Sequence, residues 1–495
     1  MARPPKRRLT ETLALVPTAP LRAVDFCVDA YGGRALRCLW AVARQTIAEA
    51  VRMKLAIFFL VLLVLTFWAA SRTEGDGTVS GRVQSFVTYS VTSAGVLLAV
   101  LSIFLSRSLS DELQQRQILM LMSKPLPRWQ FLLGKWAGIV LLDAVLLAVT
   151  GLGVYLTATQ YLARQTPLND FDAGKLRFEV LTARHASPFV LPDFTREVNT
   201  LYARNLEEGV YDAIEDFAPL VEKDRLRKYL DGRWRNVPVG EERYFEFANV
   251  LCDRSEDSAI QIRYKAQANR YPPDEILRTQ WIAGDRQKNT AIAATPRRDV
   301  IGRYHTIAFP ADTVAPDHTL RVRFINVNPY AGEPQYDNRL FFEGPRGVEV
   351  LFQVGTFGGN LVRALVMVQC KLMFLAAVAL MFATLFSFPV ACFCSFITYL
   401  LAGMRQFIED ALGSLEAKGA VGLARAVISV MVDALGYVVP NFARYNPVEL
   451  LADGRNVTLA WALQSVVYLV AIGAGVALLI ACLFFYRREV SEVSV

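Results

Sequence analysis

The sequence predicts a polytopic α-helical membrane protein of six transmembrane helices, with a large extracytoplasmic, mainly β, sandwich-like domain inserted between the third and fourth. Three observations predict it. The 495-residue chain is 53% hydrophobic, with mean hydropathy +0.29, yet 20% of its residues are charged, so the charges must be segregated into extramembrane parts. Apolar runs at 55–70, 86–105, 136–156, 365–386, 390–401 and 459–485 give six candidate spans, measured against the roughly 20 residues that a helix needs to cross a bilayer. Between the third and fourth runs lie about 200 residues without such a stretch, enough to bury a core of their own.

Residues 1–54 form a cytoplasmic N-terminal region. They carry ten Lys or Arg against four acids, a net +6 of the chain's formal +7, and basic flanks of a first span stay inside. Beside a membrane anchor, such a segment points to anionic lipid and not to nucleic acid. No cleavable signal peptide is expected, because residues 9–24 are too broken by Thr, Glu and Pro for an apolar signal core. In 37–54, Leu39, Val42, Ala43, Ile47, Ala50 and Val51 recur with helical spacing while Arg44, Gln45 and Glu49 fall off the stripe, which predicts an elbow helix lying in the membrane interface.

The region 55–156 holds spans one to three. The first run and the fifth, 390–401, are short for an average bilayer. Between the second and third spans, 106–135 carries Arg107, Arg116, Lys124, Arg128 and Lys135 against Asp111 and Glu112, so this loop is cytoplasmic. Leu109, Leu113, Ile118, Leu119 and Met122 predict an amphipathic helix over 108–122. Lys124-Pro125-Leu126-Pro127 ends it, since proline lacks the N–H and clashes with the preceding turn.

The insertion 157–364 reads as a β-sandwich with a helical insertion. Alternation predicts strands at 177–182, 259–264, 305–309, 319–324, 340–342 and 348–352, and Leu201, Leu206, Val210 and Ile214 give helical spacing within 194–230. Spans four to six follow in 365–495, with a tight turn at Ser387-Phe388-Pro389 and an outer loop at 403–456. Of seven cysteines only Cys252 belongs to the insertion, so its fold must rely on a core without an internal disulfide.

Chemistry is sparse. No phosphate-binding G-x-x-x-x-G-K-[ST] occurs, so ATP hydrolysis by this chain alone is not expected, and no cofactor is implied. His185, His305 and His318 lack metal-ligand spacing, and Cys392 and Cys394 read as small hydrophobes in a helix. Two ionisable residues fall inside spans. Asp143 is read as hydrogen-bonding glue, with the lining of a translocation route as the alternative, and Lys371, placed near the outer end of the fourth span, as snorkelling outward.

One stretch goes beyond composition. From Leu121 to Lys135, Ser123, Lys124, Pro125, Arg128, Trp129, Phe131, Gly134 and Lys135 follow the second span, and the chain here resembles the membrane subunits of ABC-2 type transporters. Residues 37–55, 386–391 and 438–457, and the last span ending at Tyr486-Arg487-Arg488-Glu489, also look like that family; the insertion does not. The resemblance implies a multi-pass permease of the cytoplasmic membrane, an exporter. It would pair with a second copy or paralogue and be driven by a separate ATPase subunit that binds ATP. Glu112, Arg116, Lys124, Pro125, Arg128 and Lys135 would form the ATPase-coupling loop, with Glu112 fixing the helix start. Short outer helices at 407–412 and 427–437 would cap the exit, and the outer domain would take substrate or a periplasmic or surface partner. The alternatives are a membrane anchor or sensor that displays the outer domain without transport, and a polytopic enzyme.

Overall fold

The computed structural model describes residues 33–73, 75–114, 127–162, 164–165, 169–211, 219–252, 259–269, 275–328, 339–342, 347–414 and 440–487. It has a helical unit, formed by residues up to Thr182 and from Thr356 onward, and a β unit, Ala183–Gly355.

The helical unit begins with α1 (Arg34–Arg52) and α2 (Leu55–Ser71), bent by 67° at a break where Lys54 adopts φ 61°. Next come α3 (Val79–Leu105), α4 (Arg107–Gln114) and α5 (Arg128–Leu156), which runs on as a π-helical turn, Thr157–Leu162. The start of α3 is held from a distance: the Asp172 carboxylate accepts from the backbone N–H groups of Val79 and Ser80, both at 3.0 Å, satisfying donors that a helix start leaves open.

Within the β unit lie α6 (Thr195–Glu207) and α7 (Pro219–Trp234). The helical unit then resumes with α8 (Phe357–Leu385), α9 (Phe388–Ser414) and α10 (Leu459–Arg487), the last with a π-helical middle at Val466–Ala474. Five helices among the described residues are long and apolar enough to cross a membrane, Val79–Leu113, Arg128–Leu162, Phe357–Leu385, Phe388–Glu409 and Leu459–Arg487; the bent α1–α2 pair passes that test only when taken together. The chain is a multi-pass membrane protein with a separate β-rich unit.

Several boundaries differ from the sequence reading. The fourth helix begins eight residues before 365, at Phe357, because the Thr356 hydroxyl accepts from the Gly359 N–H and caps it. The fifth helix is not a short span, since Phe388–Ser414 is 27 residues long and absorbs the separate helix expected at 407–412. Residues 177–182 are not a strand; Leu176–Val180 form a π-helical turn, and β1 starts only at Thr182. The second short outer helix, at 427–437, lies outside the described residues.

The apolar stripe expected on the elbow helix α1 has a partner within the helical unit. Its buried stripe of Val42, Ala43, Ile47 and Ala50 packs on α5, and two glycines spaced four apart on α5 permit the approach. A Cβ at Gly134 would lie 2.6 Å from Val42 Cβ, and one at Gly138 would lie 2.8 Å from the Ala43 carbonyl oxygen. The stripe that the sequence assigned to lipid is spent on a neighbouring helix.

Among the described residues the β unit has ten strands: β1 (Thr182–Pro188), β2 (Asn236–Val237), β3 (Glu242–Phe247), β4 (Ala259–Ala268), β5 (Ile276–Ala283), β6 (Ala293–Val300), β7 (Tyr304–Pro310), β8 (Leu320–Asn326), β9 (Leu340–Phe342) and β10 (Val348–Thr356). One sheet runs β1-β10-β4-β9-β2, with β7 also on β4, and the other runs β3-β8-β5-β6. Strand β4 curls the first sheet. Its residues 259–265 pair with β7, while 266–268 turn to β9. Both sheets contribute to one aromatic core of Phe245, Tyr264, Trp281, Phe324 and Phe342. Helix α6 sits within the 194–230 stretch expected to be helical and α7 runs four residues past it, to Trp234; Val198 is the buried position on α6, whereas Leu206 is exposed.

Candidate functional site

Of the charged residues of the predicted coupling loop, Glu112 meets Lys135. The Lys135 side chain is 1% exposed, and Nζ sits 2.8 Å from Glu112 Oε1, 3.0 Å from Ser108 Oγ and 3.4 Å from Glu49 Oε2. Three helices therefore meet at one ammonium: α1 through Glu49, α4 through Ser108 and Glu112, and α5 through Lys135 itself. Ser108 and Glu112 are one helical turn apart and face the same way, which lets α4 grip the cation twice. The other Glu112 oxygen, Oε2, is buried without a hydrogen-bond partner among the described residues. The Lys135–Glu112 pair forms a rigid link, because removing either member leaves the other's charge uncompensated in a buried place, while Glu49, 27% exposed, joins from the rim.

Glu112 was expected to fix the start of the loop helix. It sits instead in the interior of α4, buried against Lys135. Glu49 was assigned to the polar side of α1, yet it lies seven residues beyond Val42, which brings it back to nearly the same face. Heptad spacing was the signal that could have identified it. Ser108 had no such signal beyond its four-residue offset from Glu112.

Arg128, the first residue of α5, is turned to the end of the last helix. Its Nη1 donates to the carbonyls of Phe485 and Tyr486, at 2.8 and 2.7 Å, so it satisfies acceptors that α10 leaves open at its C-terminus. Arg116, Lys124 and Pro125 lie outside the described residues.

Asp143 is fully buried at mid-length of α5, and its Oδ2 accepts from Ser102 Oγ of α3 at 2.6 Å. Its other oxygen has no partner among the described residues. This bond joins two membrane-length helices side by side. Lys371 is not near the end of its helix, being the fifteenth of the 29 residues of α8. The antiparallel contacts Trp136 Nε1 to the Met373 carbonyl and Gln369 Nε2 to the Val140 carbonyl place Lys371 level with residue 138. Five residues separate that level from Asp143, about 7 Å at 1.5 Å rise, and the two do not pair.

Among the described residues no group of His, Cys, Asp and Glu could hold a metal ion, and the six described cysteines are free thiols. Helices and a charge link define the site, which contains no nucleophile and base arrangement. Comparison with protein-family models, curated protein sequences and solved structures gives no match.

Proposed function

We propose that this chain is the six-span permease subunit of an ABC-2 type transporter, an exporter of the cytoplasmic membrane driven by a separate ATPase subunit. The link at Lys135 carries the proposal. The loop helix α4 is tied by an ammonium to the elbow α1 and the span α5, so a push on the loop is delivered to both, which is what a partner ATPase requires of a permease. The motif around Ser123 to Lys135 supports the same reading, with Arg116 and Lys124 as the polar contacts for the ATPase and Arg128 as a clamp on the last span. The bent α1–α2 pair would be the first of the six spans, the β unit would lie outside the cytoplasm, and a second copy or paralogue would complete the pore.

Isolating the chain from its native membranes tests this. A P-loop ATPase should co-purify, magnesium-dependent hydrolysis should require both subunits, and Arg116→Glu with Lys124→Glu should weaken the association while insertion persists. Hydrolysis by the single chain, or the absence of any ATPase among its partners, overturns the reading. Topology is tested separately: a cysteine at Gln114 should resist an impermeant thiol reagent in intact cells, and one at Asp317 should react.

A further inference from the structure

Helices α3, α8 and α9 and the segment 442–448 line an open-sided cavity of about 320 Å3, all within the helical unit. Val91, Val96, Leu372, Leu375 and Leu400 supply apolar wall. The single formal charge among its lining residues is the Lys371 ammonium. Lys371 is about 21 Å from either end of α8 at 1.5 Å rise, so neither helix end offers it water.

The buried ionisable groups of this unit have polar partners: Lys135 pairs with Glu112 and Glu49, Asp172 accepts from the Val79 and Ser80 N–H groups, and one Asp143 oxygen accepts from Ser102. Lys371 differs. Among the described residues no carboxylate pairs with it, and its recorded neighbour is the Phe442 ring, 5.8 Å from Nζ to the centroid. An ammonium kept at such depth against hydrocarbon walls is costly unless something brings it an anion.

We infer that the cavity binds a single-chain amphiphile with a compact anionic head, the head on Lys371 Nζ and the hydrocarbon chain along the α3, α8 and α9 walls. Lysine is a compact point charge that takes a carboxylate or a phosphate alike, in contrast to the bidentate fork of arginine. The volume lies at the small end of the roughly 300–1,000 Å3 of ligand pockets, which favours one acyl chain over two. As a binding site the cavity stands without the transport proposal; as the place where substrate is held it rests on that proposal.

The test uses the full chain alone in nanodiscs of zwitterionic lipid, so its failure leaves the ATPase partnership standing, and failure to find an ATPase leaves the binding result standing. A photoreactive diazirine palmitate should label residues within 91–99, 368–375 or 399–404. Palmitate should compete about tenfold better than hexadecanol, in line with the loss of one charge-assisted contact. Lysophosphatidate competing better than both would make the head a phosphate and keep the class. Lys371→Gln should cut labelling about tenfold and Lys371→Arg should restore it. Gly403→Phe, where a Cβ meets no atom within 4 Å, should block it by filling the cavity. If Lys371→Gln fails to fold, the competitor series and Gly403→Phe carry the test. Equal competition by hexadecanol, unchanged labelling in a folded Lys371→Gln, or labelling that appears only after deletion of residues 415–439, which would make that segment the occupant, each overturns the inference.

Discussion

In the helical unit the Lys135 ammonium is 1% exposed and its partner Glu112 is 7% exposed, whereas in the β unit Arg323 and Glu242 face each other at 39% and 44% exposure. The same pair of chemistries is used for different ends. Ions already dry in the fold cannot exchange a partner for water, so the Lys135–Glu112 pair fixes α4 on α5, and the partly exposed Glu49 adds a looser tie to α1. Ions at the rim of the β3–β8 ladder can exchange, and they contribute little beyond solubility and register. Stability in the β unit comes instead from its aromatic core, where Trp281 touches Tyr264, Phe324 and Phe342. One cluster there resembles the helical unit. The buried Asp299 takes the Tyr264 hydroxyl and two Arg297 nitrogens, and burial first, then Asp299, pushes the Tyr264 phenol above its ordinary range.

The sharpest way to break this comparison is to remove the ammonium. Lys135→Met leaves the buried Glu112 carboxylate without its partner, with the partly exposed Glu49 beside it, and should cost about 3–5 kcal/mol in denaturant unfolding of the detergent-solubilised chain. Adding Glu112→Gln and Glu49→Gln should recover most of that loss, because the uncompensated charge is then gone. A cost below about 1 kcal/mol for the single change would mean that the link is hydrated like a surface pair.

Next in size is the approach of α1 to α5. Gly138→Leu forces a side chain against the Ala43 carbonyl and should cost about 1–3 kcal/mol as the two helices separate, with loss of the Lys135–Glu49 contact as a local consequence. A cysteine pair bridging α1 and α5 that still cross-links at the wild-type rate in this variant would show that the helices were not held by the glycines.

These two positions also show what was legible in the sequence. Most strands from 259 onward follow a period of two, because one face of each meets a core; 259–264, 305–309, 340–342 and 348–352 fall within observed strands, and 319–324 starts one residue before β8. The strands β5 and β6 were less visible. Gln280 and Thr279 interrupt β5, and β6 carries Pro296, Arg297, Arg298 and Asp299. Of the site, Glu112 and Lys135 could be named from the loop, but their meeting could not. Loop charge reports a membrane side, whereas pairing depends on where α4 folds back, a tertiary fact. Glu49 was hidden because its polarity outweighed its seven-residue spacing from Val42.

A smaller effect is expected at the surface of the β unit. Arg323→Met removes a pair whose members are both more than a third exposed, so unfolding should shift by no more than about 0.5–1 kcal/mol and should lose part of its salt dependence. A shift as large as that of Lys135→Met would erase the distinction between the two units.

The smallest effect is one of pH. Lys288 Nζ lies 2.6 Å from Asp317 Oδ2, and this hydrogen bond first, with the Thr319 hydroxyl second, pulls the Asp317 carboxyl down to about 2 from its ordinary 3.8. A folded-state value below the unfolded one stabilises the fold at pH above about 4, and the contribution is lost as pH falls from about 4 towards 2. Both side chains are exposed, at 41% and 53%, so solvent screens the interaction and the effect is local. Hydrogen exchange of β8, whose first residue Leu320 follows Thr319, reads it directly. Wild type and Asp317→Asn, compared at the same pH so that intrinsic exchange cancels, should differ at pH 6 and converge near pH 2. Molar salt should shrink the pH 6 difference, because water already surrounds both partners. Equal protection at pH 6 would mean that the turn holds β8 without the ion pair, and a difference persisting at pH 2 would assign the effect to the Thr319 hydrogen bond and not to the charge.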